Sequence, residues 1–170
     1  MHKLADDIRV AKVTLNIGAG KDQNKLEKGL VLIKDITGVD PIKTITRKKI
    51  PAWGLRPGLP IGCKITLRGK AAQDMLKRAL YARDNKLSPG IFDKDGNFAF
   101  GIKEYVDIKD AKYNPEIGMM GLAITITLEK PGYRIKKRHL KPATVGKKHR
   151  LTKEQAMAFI QKNYNVTFEE

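Results

Sequence analysis

A single cysteine, Cys63, stands in 170 residues. An internal disulfide is therefore excluded, and so is a zinc centre built on several thiolates. Histidine is nearly as scarce: His2, His139 and His149 leave little material for a metal cage. Aromatic residues make up 6% of the chain, which argues against a dedicated platform for stacking single-stranded bases. No stretch approaches the ~20 apolar residues that span a bilayer. The opening Met1-His2-Lys3-Leu4-Ala5-Asp6-Asp7 has no apolar run behind it and does not read as a secretion signal. Acids are missing from two long tracts. Lys43, Arg47, Lys48, Lys49, Arg56, Lys64, Arg68 and Lys70 follow one another with no Asp or Glu between them. Arg134, Lys136, Lys137, Arg138, Lys141, Lys147, Lys148 and Arg150 do the same.

Apolar residues reach 41%, enough for one domain with its own core. Lys and Arg total 34 against 18 Asp and Glu, a net charge of +16. A solvated face usually mixes signs, because like charges repel. A phosphate backbone neutralises acid-free tracts, and the counterions it releases drive binding. Three classes fit this balance: a nucleic-acid-binding protein, a basic protein at anionic membranes, and a basic enzyme. Neither tract forms a clean amphipathic helix with aromatic anchors, which disfavours the membrane.

Apolar spacing gives the elements. Val13, Leu15 and Ile17 alternate with Lys12, Thr14 and Asn16, a strand with one wet face. Leu26, Leu30, Ile33 and Ile36 fall at helical spacing, with Gly38 as the C-cap. Residues Ile42 to Lys49 read as a second strand; Cys63, Ile65 and Leu67 mark a third, with Lys64, Thr66 and Arg68 outward. Lys70 to Asn85 reads as a helix with Ala72, Met75, Leu76, Ala79 and Leu80 inward. Phe98, Phe100 and Ile102, then Leu122, Ile124, Ile126 and Leu128, give two more strands. Thr152-Lys153-Glu154-Gln155 is a capping box opening a last helix with Ala156, Phe159 and Ile160 inward. The expected fold is α+β: a mainly antiparallel sheet packed on one face by two main helices, its polar basic face exposed, plus a C-terminal helix. We expect one domain over residues 1–170, with a basic elaboration at 130–170.

Two connections stand out. Ile50 to Gly62 holds three prolines, three glycines and the only tryptophan, and is long for a hairpin loop. Trp53 and Leu55 there either form a contact tip or fold back to fill a gap, and the tip is favoured. Arg56 is the lone charge, suited to a phosphate or a ring. Asp107 to Gly121 is mixed in charge and reads as an ordinary exposed excursion.

Enzyme signatures fail one by one. Gly18-Ala19-Gly20-Lys21 lacks the spacing of a nucleotide-binding loop, and Asp22 stands where that loop needs Ser or Thr. Its amides are left as candidate contacts for an RNA phosphate. Cys63 falls on an apolar strand face and reads as a core thiol. Asp93-Lys94-Asp95-Gly96-Asn97 begins like a calcium loop but lacks its closing Glu, so a hairpin turn explains it better. No metal and no cofactor are implied. DNA readers use a charged recognition helix, whereas here the charge lies on strands and loops. Recognition of RNA shape through phosphates and sugars fits best. A free-standing double-stranded nucleic-acid-binding module is the alternative.

Four segments together carry a resemblance: Val13-Thr14-Leu15-Asn16-Ile17-Gly18-Ala19-Gly20; Thr46-Arg47-Lys48-Lys49; Pro60-Ile61-Gly62-Cys63-Lys64-Ile65-Thr66-Leu67-Arg68-Gly69; and Gly121-Leu122-Ala123-Ile124-Thr125-Ile126-Thr127. In order and spacing they resemble the L-five family of large-subunit ribosomal proteins, over roughly residues 8–130. The tail around Lys136 to Arg150 looks like the archaeal branch. The resemblance implies a non-catalytic constituent of the large ribosomal subunit, in the cytoplasm, seated in the central protuberance. It implies binding to 5S ribosomal RNA through Asn16, Gly18, Gly20, Lys21, Arg47, Lys48, Lys49, Lys64, Thr66 and Arg68. It also implies a loop reaching the elbow of the peptidyl-site transfer RNA, here Ala52, Trp53, Gly54, Leu55, Arg56, Pro57 and Gly58. The 23S ribosomal RNA, the small-subunit S-thirteen protein and neighbouring protuberance proteins are the further implied partners. Assigning Arg134, Lys136, Lys137, Arg138, Lys141, Lys147, Lys148 and Arg150 to RNA rests on charge, because the sequence beyond Glu129 departs from the bacterial pattern.

Overall fold

A computed structural model gives the fold and describes residues 7–169. The opening segment 1–6, with His2, lies outside them. In chain order the elements are β1 (Arg9–Gly18), α1 (Gln23–Thr37), β2 (Ile42–Ile45), β3 (Pro60–Leu67), α2 (Gly69–Tyr81), β4 (Lys86–Leu87), β5 (Phe98–Ile102), β6 (Leu122–Glu129), α3 (Arg134–Lys137), α4 (Lys153–Tyr164) and β7 (Thr167–Phe168). Five strands form one antiparallel sheet in the order β2-β3-β1-β6-β5. The alternation read from the sequence sets its faces. Val13, Leu15 and Ile17 pair across to Leu67, Ile65 and Cys63 on β3, and all six are buried beneath the helices.

α1 and α2 cover that apolar face, α2 chiefly over β1 and α1 chiefly over β3. Asp22 starts α1 by accepting a hydrogen bond from the Lys25 amide at 3.1 Å, and Gly38 ends it in the left-handed conformation. The helix buries Leu26, Gly29, Leu32, Ile33 and Ile36; Leu30, expected inward, is only half-buried. Arg78 in the last turn of α2 joins the layers. Its guanidinium donates to the Ile36 carbonyl at the end of α1 and to the Lys109 carbonyl, both at 2.9 Å. A cation there also meets the negative end of the α1 dipole. Both halves of the Thr152–Gln155 capping box are formed at the start of α4.

Three expectations are corrected, and one short ladder was not foreseen. The second strand stops at Ile45 instead of Lys49, because the chain turns there into a folded extension. The second helix stops at Tyr81 instead of Asn85. Asp84 and Asn85 take positive φ of 52° and 56°, which a right-handed helix cannot accommodate. That turn leads into β4, which pairs in parallel with β7, a two-residue ladder that no apolar alternation announced. The excursion 107–121 is not merely exposed: Ile108, Ile117 and Met120 join the core, and Tyr105 holds the Asn114 amide at 2.8 Å through its hydroxyl. The Asp93–Asn97 turn matches expectation. The Asp93 carboxylate accepts from the Asp95 and Asn97 amides at 3.0 and 2.7 Å.

Helix and sheet approach each other tightly at Gly29. A Cβ there would lie 3.0 Å from Cys63 Sγ and 3.4 Å from Ile17 Cγ2. Burial pushes the Cys63 thiol up to about 11. We expect Gly29→Ala to destabilise the chain by about 1–2 kcal/mol in urea unfolding, the crowding outweighing the gain in helix propensity. In a Cys63→Ala background the same change should be neutral or stabilising. The folded state holds the thiol neutral, so its contribution to stability is complete below ~8.5 and declines as pH rises toward about 11. Comparing urea midpoints of wild type and Cys63→Ala across that window reads the contribution.

Candidate nucleic-acid interface

The face of the sheet away from the helices is built in rows. In one row Ile42 on β2, Lys64 on β3, Asn16 on β1, Ala123 on β6 and Gly101 on β5 stand side by side. Two residues further along each strand, Thr66, Thr14, Thr125 and Ala99 form the next row, with Thr14 and Thr66 hydroxyls 3.5 Å apart. Lys12 then stands opposite Thr127, and Arg68 follows β3. The middle of this face is therefore short: threonine, alanine and glycine keep it flat. Its cations lie on the β3 and β1 side. Flat hydroxyl-bearing strands flanked by Lys and Arg offer donors and acceptors to sugar hydroxyls and charge to phosphates.

Of the residues singled out in the sequence, Asn16, Gly18, Lys64, Thr66 and Arg68 come together on this face. Gly20, Lys21, Arg47, Lys48 and Lys49 do not; they gather at its end, around the extension between β2 and β3. That segment is a folded hairpin. The Thr46 amide donates to the Leu59 carbonyl and the Gly58 amide to the Thr46 carbonyl, both at 2.9 Å, and Ile50 and Leu55 exchange two backbone bonds. Pro51–Trp53 make a single tight helical turn at its tip. Trp53 is 65% exposed, as the contact-tip reading expects, but Leu55 is 6% exposed and props the hairpin from within, which corrects that reading. Ala52, Gly54, Arg56, Pro57 and Gly58 are exposed. Lys21 reaches across from the β1–α1 turn and lies against Gly54, where a Cβ would sit 2.8 Å from Nζ.

The turn after β1 directs its amides inward. Ala19 and Gly20 both donate to the Ile61 carbonyl, at 2.9 and 3.0 Å, so these amides do not point at a ligand as the sequence suggested. Gly62 is why the strands come that close, since a Cβ there would lie 2.5 Å from the Ile17 carbonyl oxygen.

The basic tail divides by role. Lys137 is ion-paired with the buried Glu129. Arg138 donates to the Lys141 carbonyl at 2.7 Å and Arg150 to the Val145 carbonyl at 3.2 Å. His149 Nε2 donates to the Pro131 carbonyl at 2.6 Å, and the Tyr133 hydroxyl accepts from the Leu151 amide at 2.7 Å. These bonds fold the tract onto itself. Arg134, Lys136, Lys141, Lys147 and Lys148 remain exposed without a side-chain partner among the described residues. Sequence reasoning left Thr14 and Thr125 out of the site. Alternation marks the two threonines as outward, but only cross-strand register places Thr14 between Thr66 and Thr125, in the row next to Asn16.

Residues 5–56 match the family model for ribosomal protein L5, and residues 60–159 match the model for the C-terminus of the same ribosomal family. Among curated proteins the chain is similar to the large ribosomal subunit protein uL5 of Sulfurisphaera tokodaii, 44% identical over 96% of this chain and 93% of that one. The uL5 proteins of Sulfolobus acidocaldarius and Nanoarchaeum equitans are 47% and 46% identical, over 92% and 94% of this chain and 88% and 94% of theirs.

Gly18 and Gly62 face each other across β1 and β3 but differ in what surrounds them. Gly62→Ala should destabilise the chain by about 3 kcal/mol in thermal unfolding, because backbone must move. Gly18→Ala, with nothing within 4 Å of the added Cβ, should unfold with the wild-type midpoint.

Proposed function

The chain belongs to the L5 family of large-subunit ribosomal proteins, and from that premise we propose that it binds 5S ribosomal RNA with the outer face of its sheet. Its relatives are ribosomal proteins of the large subunit, not enzymes, and this chain is a constituent of that subunit in the cytoplasm. The observation that carries the RNA reading is the pair of rows on β3 and β1, where Lys64 stands beside Asn16 and Thr66 beside Thr14. Cations there neutralise phosphates and fix orientation; the amide and hydroxyls reach sugars and base edges. Gly18 leaves the end of β1 open to a close backbone, and Gly20 shapes the turn that carries Lys21. Lys21, Arg47, Lys48 and Lys49 extend the contact beyond the sheet. The whole chain acts as one RNA-binding unit in this reading, since β1 lies between β3 and β6, which belong to the part matched by the C-terminal model.

Further contacts complete the proposal. The exposed tip Ala52 to Gly58, with Trp53 and Arg56 outward and Leu55 inward, reaches toward the elbow of the peptidyl-site transfer RNA. The tail cations Arg134, Lys136, Lys141, Lys147 and Lys148 meet further RNA, including 23S, while Lys137, Arg138 and Arg150 hold the tail in shape. The chain sits in the central protuberance beside other proteins and touches the small-subunit S-thirteen protein.

The test is a competition titration of the purified chain with labelled 5S RNA at ~0.15 M and ~0.4 M salt, against generic duplex RNA. We expect 5S binding to survive the competitor, and Lys48→Glu with Lys49→Glu to weaken it and flatten its salt dependence by about two log–log units. Equal displacement by generic duplex would support the free-standing duplex-binding module instead. Trp53→Ala should leave 5S affinity within about twofold, since the tip faces a different RNA; an equal loss would assign the tip to the 5S surface.

A further inference from the structure

At the end of the sheet away from the hairpin extension, β1 begins, β3 gives way to α2, and β6 runs on toward α3. These segments enclose a cleft of about 430 Å³ whose lining includes Arg9, Arg68, Gln73, Glu129, Arg134 and Lys137. That size is within the ordinary range of ligand sites. Four cations stand there against one carboxylate. Glu129 is 7% exposed and already ion-paired with Lys137. Arg9, Arg68 and Arg134 have no ion pair or side-chain hydrogen bond with any described residue. Three guanidiniums around one cleft repel each other until an outside anion enters. Their planar forks of donors suit the oxygens of a phosphate better than a point charge does.

We propose that this cleft grips backbone phosphates of an RNA strand leaving the sheet face. Arg68 belongs both to the outer edge of that face and to the cleft, so the two form one track. Arg134, at the start of α3, then passes the strand to the exposed tail cations. The inference rests on the RNA-binding reading above and adds Arg9, Gln73 and a defined role for Arg134. Gln73 supplies a neutral amide donor beside the guanidiniums.

The test uses the full chain with 5S RNA as the probe, titrated across a salt series. Arg9→Gln and Arg134→Gln are the cleft variants, and Lys64→Gln is the control on the sheet face. Lys137→Gln is a poor probe, because it strands the buried Glu129. Each cleft variant should weaken binding about 3- to 10-fold at ~0.15 M salt and lower the log–log salt slope by about one. Their melting midpoints should match wild type, since both side chains are exposed. Wild-type slopes in both cleft variants, with a lowered slope in Lys64→Gln, would overturn the cleft and leave the sheet reading standing. Wild-type slopes in all three would overturn the RNA reading as well.

Discussion

The pairing of β1 on both its edges is the constraint from which the rest follows. Val13 lies between Leu67 and Ile126, and Leu15 between Ile65 and Ile124, so each inward residue sits in a buried row three strands wide. The same pleat fixes Asn16 between Lys64 and Ala123 on the other side. Side chains alternate with a period of two, so a slip of one residue would drive Asn16 and Thr14 under the helices and Leu15 into water. Core and interface are thus specified by one register. The strand also contains its own correction. Val10 and Val13 are three residues apart and both buried, which strict alternation forbids. The irregularity between Val10 and Lys12 inserts one extra residue and restores Val10 to the core.

Electrostatics then sets what kind of partner the outer face suits. Among the described residues the ion pairs are Lys34–Asp40, Lys86–Glu169 and Lys137–Glu129, and none of these lies on the rows around Asn16. Lys12, Lys64 and Arg68 therefore keep their charge for an outside partner. The cost in the free chain is small because exposed charges interact weakly: about 1 kcal/mol at 4 Å in water, less with salt. Bound against phosphates in a drier contact, the same charges become attractive and release counterions.

Much of this was legible because hydrophobic period and burial obey the same geometry. The alternation around Val13, Cys63, Phe98 and Leu122 marked four of the five core strands, and the Thr152–Gln155 box marked the start of the last helix. What escaped depends on distant residues. Continuing the second strand through Thr46-Arg47-Lys48-Lys49 looked natural because no Gly or Pro interrupts it, yet the Thr46 amide turns to the Leu59 carbonyl. Leu55 looked like a contact residue because nothing local buries it; it is buried in the closed hairpin, where it exchanges two backbone bonds with Ile50. Ile108, Ile117 and Met120 carry no period at all, and become core because of where the sheet ends. The division of the tail into structural and free cations depends on carbonyls and on Glu129, none of which the run of Lys and Arg announces.

The flatness of the face bears on how it would recognise RNA in the proposed reading. Thr14, Thr66, Thr125, Ala99, Ala123 and Gly101 have little rotamer freedom to lose, and the strands beneath them are fixed by pairing on their neighbours. A partner that docks there loses little free energy to ordering the protein. Lys64 stands beside Asn16 and Lys12 opposite Thr127, so charge is available next to the short side chains. Such a surface discriminates by the curvature and spacing of a rigid backbone more than by the edges of individual bases. That suits the scaffold role proposed above, in which the surface holds an RNA in one orientation by shape and charge.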